Sequence, residues 1–152
     1  MKVFCSLLFL AFVAKLTFAQ AGADKLLGTY LTQDGTAKIE FYKSADKYCG
    51  KIVWLKEPND PKTHMPNTDT ENPDHSKRNN PVMGLVMLQN LTYNGKDGWN
   101  NGTIYDPNTG KTWECDVNVK GNTIKVNGYW KFSWIGKTET WTKSSNMSAS
   151  LE

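Results

Sequence analysis

Short runs in which apolar and polar residues alternate, each ended by a cluster of turn formers, constrain this chain more than any other feature. From Ala37 to Lys43, Ala37, Ile39 and Phe41 fall on one face, and Lys38, Glu40 and Tyr42 on the other. A period of two marks a half-buried β-strand, because successive Cβ atoms point to opposite faces of a sheet. Trp113, Cys115, Val117 and Val119 alternate in the same way with Glu114, Asp116 and Asn118. Ile124, Val126, Gly128 and Trp130 repeat the pattern after the turn Lys120-Gly121-Asn122. Further strands fit residues 28–32, 48–56, 85–93, 99–105 and 137–143. The breaks at 33–35, 94–98 and 106–110 are composed of residues that favour turns.

About eight short strands joined mainly by tight turns predict an antiparallel meander, and so long a meander loses its unpaired edges by closing on itself. The expected fold is all-β: one antiparallel up-and-down barrel with one long Pro-rich loop. Eight strands enclose enough room to be filled by side chains or to hold one small ligand.

The long loop is residues 57–81, where Met65 is the only apolar side chain apart from Pro58, Pro61, Pro66, Pro73 and Pro81. Proline removes ladder donors, so this segment is no central strand. Long connections in compact domains tend to be lids or binding loops, or to be disordered. Stiffening prolines mixed with Asp69, Asn72 and Arg78 favour a lid or rim over one barrel end.

Residues 1–21 read as a signal peptide. Lys2 supplies a positive start, an apolar run follows from Val3 to Val13 (broken by Cys5 and Ser6), and Ala19-Gln20-Ala21 offers a cleavage site. Cleavage is expected after Ala19 or Ala21, with the product exported to the periplasm or the outside. The run is shorter than the about 20 residues of a spanning helix, so no membrane span is expected. The barrel domain is then 22–143, and the Ser-rich tail 144–152 is expected to be disordered. Removing the leader takes two lysines and no acid from a net charge of +3. The near-neutral remainder, with its lysines dispersed, has no footprint for nucleic acid. Cys49 and Cys115 remain, and an oxidising compartment makes a disulfide between them an expectation; the alternatives are two separate buried thiols or a metal pair, for which no His stands at ligand spacing.

The motifs Gly28-Thr29-Tyr30-Leu31, Gly50-Lys51-Ile52-Val53-Trp54, Asn72-Pro73, Arg78, Pro81-Val82-Met83-Gly84-Leu85, Gly102-Thr103-Ile104-Tyr105-Asp106-Pro107, Gly110-Lys111-Thr112-Trp113 and Gly136-Lys137-Thr138-Glu139-Thr140-Trp141-Thr142 occur in this order. Together they resemble the exported bacterial family called domain of unknown function 2147. The resemblance implies a lipocalin-like barrel and brings no established activity. A looser similarity is to lipocalins proper, whose early Gly-x-Trp packs against a basic residue of the last strand. The counterparts here are Gly28-Thr29-Tyr30 and Lys143, a cation–π pair of about 0.5–1 kcal/mol if exposed.

No nucleophile elbow, zinc-protease motif or phosphate-cradling glycine loop is present, so no catalytic residue and no cofactor is expected. His64 and His75 stand near Asp60, Asp69, Glu71 and Asp74, but their spacing matches no metal-ligand pattern. Glu114 and Asp116 read as a solvated strand face, and Asp106 as a turn former. The aromatic set is the stronger feature. Trp113 and Trp130 should point inward, Trp99 and Tyr105 should share one face, and Trp54 ends the strand that enters the loop. With Asn72 and Arg78 above them, these residues form an expected site for a small hydrophobic or amphipathic molecule carrying a polar or anionic head. Simple packing of the rings inside the barrel is the competing account. Two other functions stay open: an extracytoplasmic protein with a packed barrel that binds a protein or envelope glycan, and a metal-dependent hydrolase.

Overall fold

Alternation closes the chain on itself. The computed structural model describes residues 21–129 and 136–144. Its strands are β1 (Gly28–Leu31), β2 (Ala37–Ser44), β3 (Lys47–Leu55), β4 (Val86–Tyr93), β5 (Gly98–Asp106), β6 (Lys111–Lys120), β7 (Thr123–Tyr129) and β8 (Gly136–Lys143). They form one closed barrel in sequence order, each pairing antiparallel with its neighbours. The ring is completed where Tyr30 pairs with Lys143 and Leu31 with Thr142. Lys143 Nζ lies 5.8 Å from the centre of the Tyr30 ring, within cation–π reach at this seam.

The expected strands and the observed ones differ by a residue or two at their ends, but bulges change which side chains face inward. Ile39 pairs with Ile52 and Ala37 with Leu55, leaving one extra residue on β3. That residue turns Leu55 inward and sets Trp54 on the outer wall opposite Lys38, whose Nζ lies 5.4 Å from the indole centre. The expectation that Trp54 belongs to an interior site is therefore corrected. On β4, Tyr48 pairs with Leu91 and Gly50 with Leu88. On β5, Val117 pairs with Trp99 and Cys115 with Gly102. Asn90 and Asn101 absorb these two extra residues at positive φ, 63° and 61°, where Asn is tolerated better than most residues. The two bulges lie side by side, so β4 and β5 keep an unbroken register with each other.

The β5 bulge also breaks parity. Trp99, Gly102 and Ile104 share the inner face with their partners Val117, Cys115 and Trp113. Trp99 and Tyr105 consequently do not share a face, contrary to the sequence pattern. Gly102 is small for a steric reason: a Cβ there would stand 2.5 Å from Leu91 Cδ2.

One end of the barrel is solid. The 3-10 turn Asp24–Leu26 plugs it with the fully buried Leu26, and Tyr48 Oη donates to Asp24 Oδ1 at 2.9 Å. Tyr48 and Tyr93 pack on Trp99 with ring centres 6.2 and 5.1 Å apart, and Tyr30 meets Phe41 edge-on at 5.6 Å. The cysteines are free, which corrects the expected disulfide. Cys115 is inward and buried, whereas Cys49 pairs with Tyr42 on the outer wall, so the two side chains point away from each other. The signal-peptide expectation and nearly all of the tail lie outside the described residues.

A candidate ligand cavity at the open end

Above the aromatic floor the described residues leave the interior open. A cavity of about 1210 Å³ occupies the barrel end where the β1–β2, β3–β4 and β5–β6 connections meet. Its wall includes Ile52, Met87, Ile104, Trp113, Val126 and Trp141. Gly128 is the small residue of this wall: a Cβ there would come no nearer than 3.5 Å to another atom, Ile104 Cγ2.

Strand β8 puts charge inside this apolar wall. Trp141 pairs with Ile124, Glu139 with Val126 and Lys137 with Gly128, so all three occupy the inner face at rising height. Trp141 Nε1 donates to Glu139 Oε2 at 2.9 Å from below. Lys137 Nζ meets Glu139 Oε1 at 2.6 Å from above. The carboxylate raises the Lys137 pKa by hydrogen bonding first and by its charge second. All three residues line the cavity. Glu139 was absent from the residues singled out in the sequence, although the alternation Lys137-Thr138-Glu139-Thr140-Trp141 carries the signal.

The 57–81 segment is built, not loose. Asn59 bridges Pro66 and Thr68 bridges Pro81, and a 3-10 turn spans His75–Lys77. Asp69, 1 % exposed, is its anchor. Its Oδ1 accepts from Tyr105 Oη at 2.7 Å, and its Oδ2 from Asn72 Nδ2 at 2.6 Å. Arg78 Nε donates to the Asn72 carbonyl at 2.8 Å, and Asp74 N–H to Asn72 Oδ1 at 2.9 Å. Burial and the adjoining Asp69 carboxylate push the Tyr105 phenol up to about 12. The segment also docks on the β5–β6 turn, where Gly110 has φ +66° and a Cβ would overlap the Glu71 carbonyl oxygen.

The residues expected to form a site thus divide. Tyr105 and Trp113 line the cavity. Trp99 is fully buried in the floor, and Trp54 is on the outer wall. Asn72 and Arg78 serve the loop's own hydrogen bonds. Trp130 lies outside the described residues. Asp106 accepts from Asn108 N–H and Thr109 Oγ1 at 2.9 Å each, as a turn former does. Asp116 accepts from Tyr129 Oη at 3.1 Å. His64 and His75 are exposed, and among the described residues no group of three or more His, Cys, Asp or Glu could hold a metal ion. No described helix is long and apolar enough to cross a membrane.

A closed antiparallel eight-stranded barrel, plugged at one end and hollow at the other, defines a lipocalin-like protein. The chain belongs to the DUF2147 family, described as an uncharacterized protein conserved in bacteria, whose family model matches residues 28–143. Among solved structures it is similar to protein HP1028 from the human pathogen Helicobacter pylori, described as belonging to the lipocalin family. The two share 26% identity and a TM-score of 0.69, over 80% of this chain and 84% of that one. No curated protein matches the chain significantly.

Proposed function

We propose that this is an exported, non-enzymatic binding protein that holds or carries a small hydrophobic or amphipathic molecule in the barrel, beneath a mouth gated by the 57–81 segment. The cavity carries this reading: about 1210 Å³ exceeds the usual ligand-pocket range of about 300–1,000 Å³ and leaves room for a guest after side-chain adjustment. The apolar wall supports an aliphatic or aromatic body, and the described structural neighbour adds a lipocalin precedent for the fold. The alternative of a protein- or glycan-binding barrel requires a filled interior, whereas the described residues leave the upper half open. Export rests on the N-terminal pattern from Lys2 to Ala21.

Tryptophan emission read during a screen of lipids and small metabolites tests the proposal. A blue shift or quench with at least one apolar compound, lost in Trp113→Ala, is the expected result. Silence across apolar compounds of graded size would overturn it.

A further inference from the structure

The residues around the cavity carry a charge bias that the chain as a whole does not. Asp34, Glu57, Glu71, Asp106 and Glu139 line it, against Lys56 and Lys137, in a chain whose net charge is +3. Among the described residues of the lining, carboxylates are thus in excess. A low-dielectric concave wall concentrates the field of such a set on whatever enters.

Glu139 is the innermost of these carboxylates. It faces inward opposite Val126, which is 3% exposed, and it is the acid held by Trp141 Nε1. One indole N–H and one ammonium leave acceptor capacity on both of its oxygens. Asp34 and Asp106 spend theirs on local turns: Asp34 Oδ1 accepts from Thr32 Oγ1 and Thr36 Oγ1 at 2.7 and 2.8 Å. Glu139 therefore stands as the anchor, with the remaining acids setting the field at the mouth.

The structure contains its own stand-in for a ligand head. Lys137 is a primary ammonium on an apolar stem, and it sits on Glu139 Oε1 at 2.6 Å inside the cavity lining. Its side chain is 81% exposed and free to swing out, so an incoming ammonium can take the same place while its body runs along Ile104, Trp113 and Val126. An anionic head finds the opposite: each lysine at the lining is outnumbered, and Arg78 is engaged with the Asn72 carbonyl away from the wall.

We infer that the cavity selects amphipathic cations, molecules with a protonated amine head and an apolar body, and that Glu139 is the residue that determines this specificity. The inference rests on the binding reading above and replaces its polar or anionic head with a cationic one.

The test uses the leaderless full barrel and the neutral dye N-phenyl-1-naphthylamine, displaced at neutral pH by dodecylamine, dodecanol or dodecanoate, each below its micelle concentration. The expected result is displacement by dodecylamine at about tenfold lower concentration than by dodecanoate. Glu139→Gln, which keeps an acceptor for Trp141, should bring the amine to the level of dodecanol, while Lys137→Ala should tighten the amine and weaken dodecanoate. Lys137→Ala alters only an exposed side chain and so keeps the question open to test if Glu139→Gln fails to fold. Dodecanoate displacing dye as well as or better than dodecylamine overturns the cation assignment and leaves the binding reading standing. A dye that does not bind at all removes both.

Discussion

Tyr105 Oη and Asp69 Oδ1 lie 2.7 Å apart, and that single hydrogen bond joins the barrel wall to the buried anchor of the 57–81 segment. Tyr105, near the end of β5 at the cavity mouth, is thereby tied to a segment that folds over the rim.

Removing either partner should loosen the segment without unfolding the barrel. Asp69→Asn disturbs a buried acceptor of two hydrogen bonds, a loss of about 1–3 kcal/mol. Tyr105→Phe should cost less, since Asn72 continues to serve Asp69. Hydrogen exchange should show lost protection at the Asp69 and Asn80 amides, with that of β6 and β7 unchanged. Equal loss across the barrel would show that the segment is part of the global folding unit.

Alkali should act on the same contact. The phenols of Tyr48, Tyr105 and Tyr129 are each pushed up from an ordinary 10 to about 12, by burial first. A folded-state value above the unfolded one favours folding while the phenol stays protonated. This contribution is complete below pH about 10 and is lost as pH rises toward about 12. Tyrosinate absorbance should therefore rise late, together with loss of stability, between those values. Ionisation of these three groups near pH 10 in the folded protein would contradict the hydrogen bonds described.

The tryptophans should separate by position. Trp99 is fully buried between Tyr48 and Tyr93, so Trp99→Ala should cost about 3–5 kcal/mol in urea unfolding. Trp113 is half-buried and lines open space, so Trp113→Ala should cost clearly less while removing the fluorescence response to bound compounds. Equal costs for the two would mean that Trp113 is packed into the core.

The thiols should also separate. Burial pushes the Cys115 thiol up to about 12, so under native conditions it should react with a disulfide reagent far more slowly than Cys49, and at the unfolding rate. Reductant should leave the melting temperature of the protein unchanged. A shift of several degrees on reduction would indicate the disulfide that the facing directions of Cys49 and Cys115 disallow.

Much of this barrel is legible in its sequence because a period of two needs no tertiary information. The Ala37 to Lys43 alternation and the prolines of 57–81 specify a strand and a non-strand by local chemistry alone. Individual side-chain directions are less legible, since one inserted residue reverses a face. Trp54 is displaced by the extra β3 residue, and the Trp99–Tyr105 parity is broken at Asn101. Nothing distinguishes Asn90 and Asn101 from other surface asparagines except the αL tolerance that their bulges use. Glu139 is the opposite case. Its alternation with Trp141 reads it inward, but a glutamate on a strand is taken by default for the solvated face.

The central claim is that the upper barrel is a chamber for an apolar guest. Methyl-resolved NMR during titration with dodecanol measures it most directly. The account predicts shifts at Ile52, Met87, Ile104 and Val126, which line the chamber, with Leu26 and Leu91 in the solid floor unmoved. Shifts confined to outer-wall residues such as Val53 and Val86, or none at saturating dodecanol, would contradict it.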